Sequence, residues 1–174
     1  MGYDIGLSIA GQDDDHGDGL PPRQLTDGQE AAWRRIVARA RREIGAAEEG
    51  RYPTHLELWL YDPAMQLWYA GDSASIEIPY RYAATAAGAQ AALAAAYALA
   101  RIVAAETGMR GVDHEVGGAI RDDDLPRAVA RYRGVGEHVR ALVAGEAPQA
   151  DPAGLAAQAD PAGEAPQADP PADS

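Results

Sequence analysis

Cysteine is absent from this chain of 174 residues, and so are phenylalanine and lysine. Without cysteine there is no disulfide framework, no thiolate zinc site and no cysteine nucleophile. Large apolar residues are scarce as well. Leu, Ile and Val together number 28, whereas 39 residues of the 47% apolar fraction are alanine. The core must therefore be modest. All 15 basic residues are arginine, a pattern that together with the alanine content reads as the coding bias of a GC-rich genome. Positive charge is in deficit. A net charge of −12 argues against nucleic acid as a partner, because phosphate binding is driven by clustered Lys and Arg.

A strongly apolar run is missing too. The longest uncharged stretch near the middle lies between Arg81 and Arg101. It approaches the length of a membrane span, but alanine dominates it and only Leu93 and Leu99 are strongly apolar. It reads as a buried helix of a soluble domain, so no membrane partner is expected. Residues 1–10 carry Asp4 and no arginine, which is unlike the basic start of a secretory signal. The expected location is cytoplasmic.

The chain divides into a body, residues 1–145, and a tail, residues 146–174. The tail repeats at nine residues as EAPQADPAG, LAAQADPAG and EAPQADPPA. It recurs in proline, has no aromatic residue and has one large apolar residue, Leu155. Such a segment cannot bury enough surface to offset its ordering entropy, so it is expected to be disordered. The repeats have no apolar face to stack into a solenoid. The tail holds six acids and no base, which is half of the net charge.

The body alternates strand and helix patterns. In Tyr3 to Ile9, Ile5, Leu7 and Ile9 fall on one side, with Asp4, Gly6 and Ser8 on the other. A polar loop, GQDDDHGDGLPP (11–22), follows. Thr26 and Gln29 form a capping-box signature ahead of a helix bearing Trp33, Ile36, Val37, Ala40 and Ile44 on one face. Three strands in a meander come next, over 54–61, 65–70 and 74–80. Leu56, Leu58 and Leu60 share one face of the first, with His55, Glu57, Trp59 and Tyr61 on the other. Asp62-Pro63-Ala64 and Gly71-Asp72 make the turns, and Pro79, which donates no ladder bond, marks an edge or an end. A second helix spans 84–106 and stops at Gly108. A short strand is expected within 109–120. A third helix begins after Asp122–Asp124 and carries Leu125, Val129, Tyr132, Val139 and Leu142 on one face. This order predicts an α+β fold, an antiparallel meander sheet with helices packed on one face, as a ferredoxin-like variant.

Few chemical motifs stand out. Asp13 to Gly19 has the look of a calcium loop, but His16 and Leu25 occupy positions where carboxylates are needed, so a solvated loop is the better reading. His55, Glu57, Asp113, His114 and Glu115 are the residues that would have to converge for a zinc or iron site. Nothing resembles HExxH, GxSxG, GxGxxG or a P-loop. Arg34, Arg35, Arg39, Arg41 and Arg42 on the first helix read as a solvated polar face opposite its apolar stripe. The aromatic residues are concentrated in 52–97. With helices covering Leu56, Leu58 and Leu60, the opposite sheet face would present Trp59 and Tyr61 beside His55 and Glu57. Such a face anchors a protein partner, unless the third helix or a homodimer covers it.

SIEIPYRY (75–82), the alanine-rich helix and ETGMRGVDHEVGGAI (106–120) resemble small bacterial α/β proteins of the immunity type, which are encoded beside polymorphic toxins. That group shows a strand ending in Pro-Tyr or Pro-Trp, then a helix, a Glu-x-x-Gly turn and an Asp-Pro-Gln segment. Pro79-Tyr80 matches the first feature and Glu106 to Gly108 approximates the turn. Asp113 matches one residue of the last, with His114 and Glu115 in place of Pro-Gln. The resemblance covers residues 54–120. It implies stoichiometric binding to a cognate toxin, for which an acidic surface facing a basic toxin domain is physically suited.

The sequence thus predicts a non-enzymatic protein-binding module that acts by occlusion and needs no cofactor. Trp59, Tyr61 and Trp68 are the expected anchors, with Glu57, Asp62 and Asp113 as peripheral charge. Two alternatives stand beside it. One is a small metal-dependent enzyme built on His55, Glu57, Asp113, His114 and Glu115. The other is a scaffold protein that acts through its tail.

Overall fold

The computed structural model describes residues 2–9 and 24–145. The Asp13–Gly19 loop and the repeat tail, with the expectations attached to them, lie outside the described residues. The elements run β1 (Gly2–Ser8), α1 (Asp27–Glu43), β2 (Ala47–Arg51), β3 (Leu56–Tyr61), β4 (Ala64–Tyr69), β5 (Ser73–Pro79), α2 (Ala86–Thr107), β6 (Arg110–Asp113), β7 (Gly118–Ala119) and α3 (Leu125–Val143). Short 3-10 turns cover Tyr80–Ala84 and Asp122–Asp124.

All seven strands form one sheet in the order β2-β3-β4-β5-β1-β6-β7, and every neighbouring pair is antiparallel. Four antiparallel steps separate β2 from β1, so these two strands point the same way and α1 crosses between them. Likewise β5 and β6 are parallel, joined by α2, with β1 inserted between. This is the expected ferredoxin-like wiring, lengthened in the meander by two strands and extended by β7 and α3. The meander has four strands, not three. The extra one is β2, whose sequence AEEGR has no apolar alternation and which is held at the edge by pairing with β3. Its charged residues suit an edge that must not recruit another strand.

Local signals explain the helix boundaries. At the start of α1 the Gln29 N–H donates to Thr26 Oγ1 at 3.3 Å, and the Thr26 N–H donates to Gln29 Oε1 at 2.9 Å. This reciprocal cap is worth about 1 kcal/mol. Gly108 ends α2 in the left-handed region at φ 77°, as a C-terminal glycine does. Pro79 ends β5. At the third helix the acidic run behaves differently from expectation. Asp124 makes no side-chain cap bond, and Asp122 instead pairs with Arg101 on α2.

The core lies between the sheet and the three helices. Tyr3, Ile5 and Leu7 of β1, Leu56, Leu58 and Leu60 of β3, Leu67 and Tyr69 of β4, and Ile76 and Ile78 of β5 are buried on one face. Trp33 of α1 stacks on Tyr69 with ring centroids 5.5 Å apart. Leu93, Tyr97 and Val103 are buried on α2. Among the described helices α2 is long and apolar enough to cross a membrane, and it is also the helix that packs against the sheet and between α1 and α3. Tyr132 of α3 meets Tyr3 edge-on at 5.6 Å, and its hydroxyl donates to the Pro79 carbonyl. Burial pushes its pKa up to about 12. All three helices therefore cover the same side. The far end of α3 outruns the body. Leu142 is 52% exposed and Val143 85%, so Leu142 does not join the buried stripe expected of it.

The arginines of α1 are engaged along its solvated side. Arg35 and Arg39 pair with Glu106 at 2.7 and 3.1 Å, Arg39 and Arg42 with Glu43 at 3.0 and 2.7 Å, and Arg41 with Glu49 at 3.2 Å. These pairs pull Glu106 and Glu43 below the ordinary carboxylate range. Each exposed pair contributes little to stability.

Candidate functional site

Strand alternation that buries one sheet face presents the other outward. The registers define two rows across this open face. One runs Glu48, Trp59, Gln66, Glu77, Asp4 from β2 to β1. The next runs Gly50, Glu57, Trp68, Ser75, Gly6, Val112 from β2 to β6. No described helix crosses either row. The third helix, which could have covered this side, packs through Tyr132 on the opposite one.

An aromatic cluster occupies the β2–β4 end. His55 stacks on Tyr52 at 4.7 Å and lies 5.2 Å from the Trp68 ring. Tyr52 also meets Trp59 edge-on at 6.5 Å. The Trp59 indole lies across Gly50, where a side chain would occupy the same space. Gly50 thus lets the indole lie flat on β2. The His55 ring is fixed by two contacts of 2.9 Å, Nδ1 with Thr54 Oγ1 and Nε2 with Glu57 Oε1. An Nε2–H donating to the Glu57 carboxylate and a Thr54 hydroxyl donating to Nδ1 satisfy both nitrogens. Tyr61 is 54% exposed at the corner of the face, and hydrogen bonding with Glu48 raises its pKa.

Acidic groups dominate the charge. The strand residues directed to this side include Asp4, Glu48, Glu57 and Glu77, against Arg110 as the strand arginine that joins them. Burial, then the neighbouring Glu77, holds the Asp4 carboxyl above its ordinary value.

Of the residues expected to bind a partner, Trp59, Tyr61, Trp68 and Glu57 fall on this face, and Asp62 stands exposed in the β3–β4 turn. Asp113 does not. It is 1% exposed and directed to the helix side, so it cannot serve as peripheral charge. Its Oδ2 accepts from the hydroxyls of Tyr3 and Tyr97 at 2.6 Å each, and its Oδ1 accepts from the Glu115 and Val116 N–H groups at 3.1 Å. Burial first, then this carboxyl group, raises both phenols far above the ordinary tyrosine range.

The five residues of the metal alternative are not brought together. His55 and Glu57 sit at the β3 end of the open face. His114 lies across Gly6 on β1, and Asp113 is on the other side of the sheet. Among the described residues no three His, Asp or Glu side chains are grouped to hold a metal ion.

Tyr52, Asp4 and Glu77 were not singled out by the sequence. The alternation of β1 and β5 placed Asp4 and Glu77 opposite the core, but their adjacency depends on β1 inserting beside β5. No family model, curated protein or solved structure matches this chain.

Proposed function

We propose that this chain is a binding protein of the immunity type, which docks a basic protein surface on its open sheet face and occludes it. One observation carries the reading. Every described helix packs on one side of the sheet, while Tyr52, Trp59, Tyr61 and Trp68 gather on the other among carboxylates. Rigid aromatic side chains give large contact area at small entropic cost, and they recur as interface anchors. Charge selects the occupant. Two copies stacked through this face would set carboxylates against carboxylates, whereas a basic toxin domain would find complementary potential. The resemblance over residues 54–120 points to the same class of partner.

The test is affinity measured with a purified partner. The partner is captured from the host, identified and titrated by calorimetry. Tyr61→Ala and Trp59→Ala should each weaken binding by roughly 30-fold or more if these residues are hot spots. Arg35→Ala, on the helix side, should leave affinity unchanged. Tyr61 is exposed, so its loss leaves the fold intact. Full affinity in both face variants, with thermal stability retained, would mean that the partner docks elsewhere.

A further inference from the structure

One hollow in the open face differs from its surroundings. Asp4, Gln66, Trp68, Ser75 and Glu77 line a depression of about 330 Å³ over β1, β5 and β4. Asp4 and Glu77 are register partners on adjacent strands. Like charges directly opposite each other destabilise an antiparallel pair. Among the described residues no arginine pairs with either carboxylate; the amino terminus and then His114 favour the charged form of Asp4, but burial and Glu77 outweigh them. The floor of the hollow is low. Gly2 and Gly6 flank Asp4 on the same side of β1. A methyl group at Gly2 would stand 2.7 Å from Glu77 Oε1, and one at Gly6 would stand 2.8 Å from His114 Nε2. The two glycines thus give Glu77 and His114 room to lie flat, with Asp4 between them.

Two neighbouring carboxylates, a side-chain amide, a hydroxyl and an indole wall make a lining with one complement. A guanidinium is planar, always charged, donates five hydrogen bonds in a fixed fork and packs against aromatic rings. An ammonium would meet the charge but leave the flat wall unused. We infer that this hollow receives an arginine side chain of the docked partner. The inference rests on the docking reading and adds to it the chemistry that the partner must present.

The probe is a capped peptide, acetyl-Gly-Arg-Gly-amide, titrated into the ¹⁵N-labelled full chain and followed by NMR. Matched peptides carry lysine or the neutral isostere citrulline. The arginine peptide should shift the Trp68 indole and Gln66 amide signals saturably. The lysine peptide should bind more weakly and the citrulline peptide should give no saturable shift. Asp4→Asn and Glu77→Gln should each weaken the arginine peptide about tenfold. Glu48→Gln, on the same face outside the hollow, should not. Both hollow variants remove repulsion and keep side-chain shape, so the fold persists. The inference is overturned if no saturable shift occurs, if citrulline or lysine binds as well as arginine, or if both variants bind like the unmodified chain. The two readings fail separately. Loss of partner affinity in Tyr61→Ala but not in Glu77→Gln keeps the docking face and removes the arginine hollow. A titrating hollow with partner affinity unmoved by Tyr61→Ala and Trp59→Ala does the reverse.

Discussion

The hydroxyls of Tyr3 and Tyr97 converge on a single oxygen atom, Oδ2 of Asp113, each at 2.6 Å. Tyr3 belongs to a central strand and Tyr97 to the helix that crosses it, so the shared carboxyl group ties α2 to the sheet. Its other oxygen caps the turn that follows β6. Both phenols are buried, and a buried donor without an acceptor costs about 1–3 kcal/mol.

Asp113→Ala should therefore destabilise the fold by about 3 kcal/mol or more, since it strands two phenols and two backbone N–H groups. Tyr97→Phe removes one donor and its bond together, and should cost about 1 kcal/mol. Chemical denaturation measures both. Equal, small losses in the two variants would show that the buried carboxyl group is not the tie between helix and sheet.

Two glycines on α3 should respond to alanine with opposite sign. Gly134 has open space where a Cβ would go. Gly134→Ala should stabilise the helix by up to about 1 kcal/mol through propensity alone. A Cβ at Gly136 would run into the Ala83 methyl group, which is buried and rigid. Overpacking costs about 1–3 kcal/mol and outweighs the propensity gain, so Gly136→Ala should lower the melting temperature. Stabilisation by both variants would contradict the close packing of α3 on the 3-10 turn at Tyr80–Ala84.

Removing residues 146–174 should leave the body folded. Among the described residues, every member of the buried core lies between Tyr3 and Tyr132. Stability of the 1–145 chain should match the full chain to within about 0.5 kcal/mol. Partner affinity should also be retained. A truncated chain that stays folded and loses its partner would favour the scaffold reading in which the tail does the binding.

Much of this architecture was legible because local signals agreed with tertiary packing. The Thr26–Gln29 cap, the Trp33 stripe and the alternation of β3 reappear as read, and that of β1 does so for Ile5 and Leu7, whereas Ile9 lies past the strand end and is exposed. Where local and tertiary demands diverge, the sequence misleads. β2 has no apolar period because an edge strand needs only its neighbour's backbone. Asp113 sits between Val112 and His114, both exposed, in a stretch that looks solvated. Its partners Tyr3 and Tyr97 are distant in the chain, so local pattern gives no sign of its burial. Leu142 continues the helical stripe of α3, yet the helix extends past the body it packs on. The facing of Asp4 and Glu77 was hidden for the same reason as Asp113, since strand order and not periodicity creates it.

The Asp4–Glu77 pair also sets a dependence of stability on pH. Burial and Glu77 hold Asp4 above its ordinary value of 3.8. The folded state therefore binds this proton more tightly than the unfolded state does. Its destabilising effect is absent below 3.8, grows as pH rises through the interval up to the folded-state value, and is complete above it. Asp4→Asn should leave stability unchanged at the acid end and raise it above that interval. Glu30, Glu43 and Glu106 act in the opposite sense. Arginine partners lower them, so their contribution is present above 4.5 and is lost as pH falls through their depressed values. Melting curves of the wild type and Asp4→Asn, compared from about pH 3 to about pH 8, should converge in acid and separate toward neutrality. A constant offset, or a less stable variant at neutral pH, would refute the assignment. A guanidinium seated beside Asp4 favours its charged form and cancels the burial penalty. The arginine peptide should accordingly stabilise the wild type more at neutral pH than in acid, and this pH dependence should be diminished in Asp4→Asn.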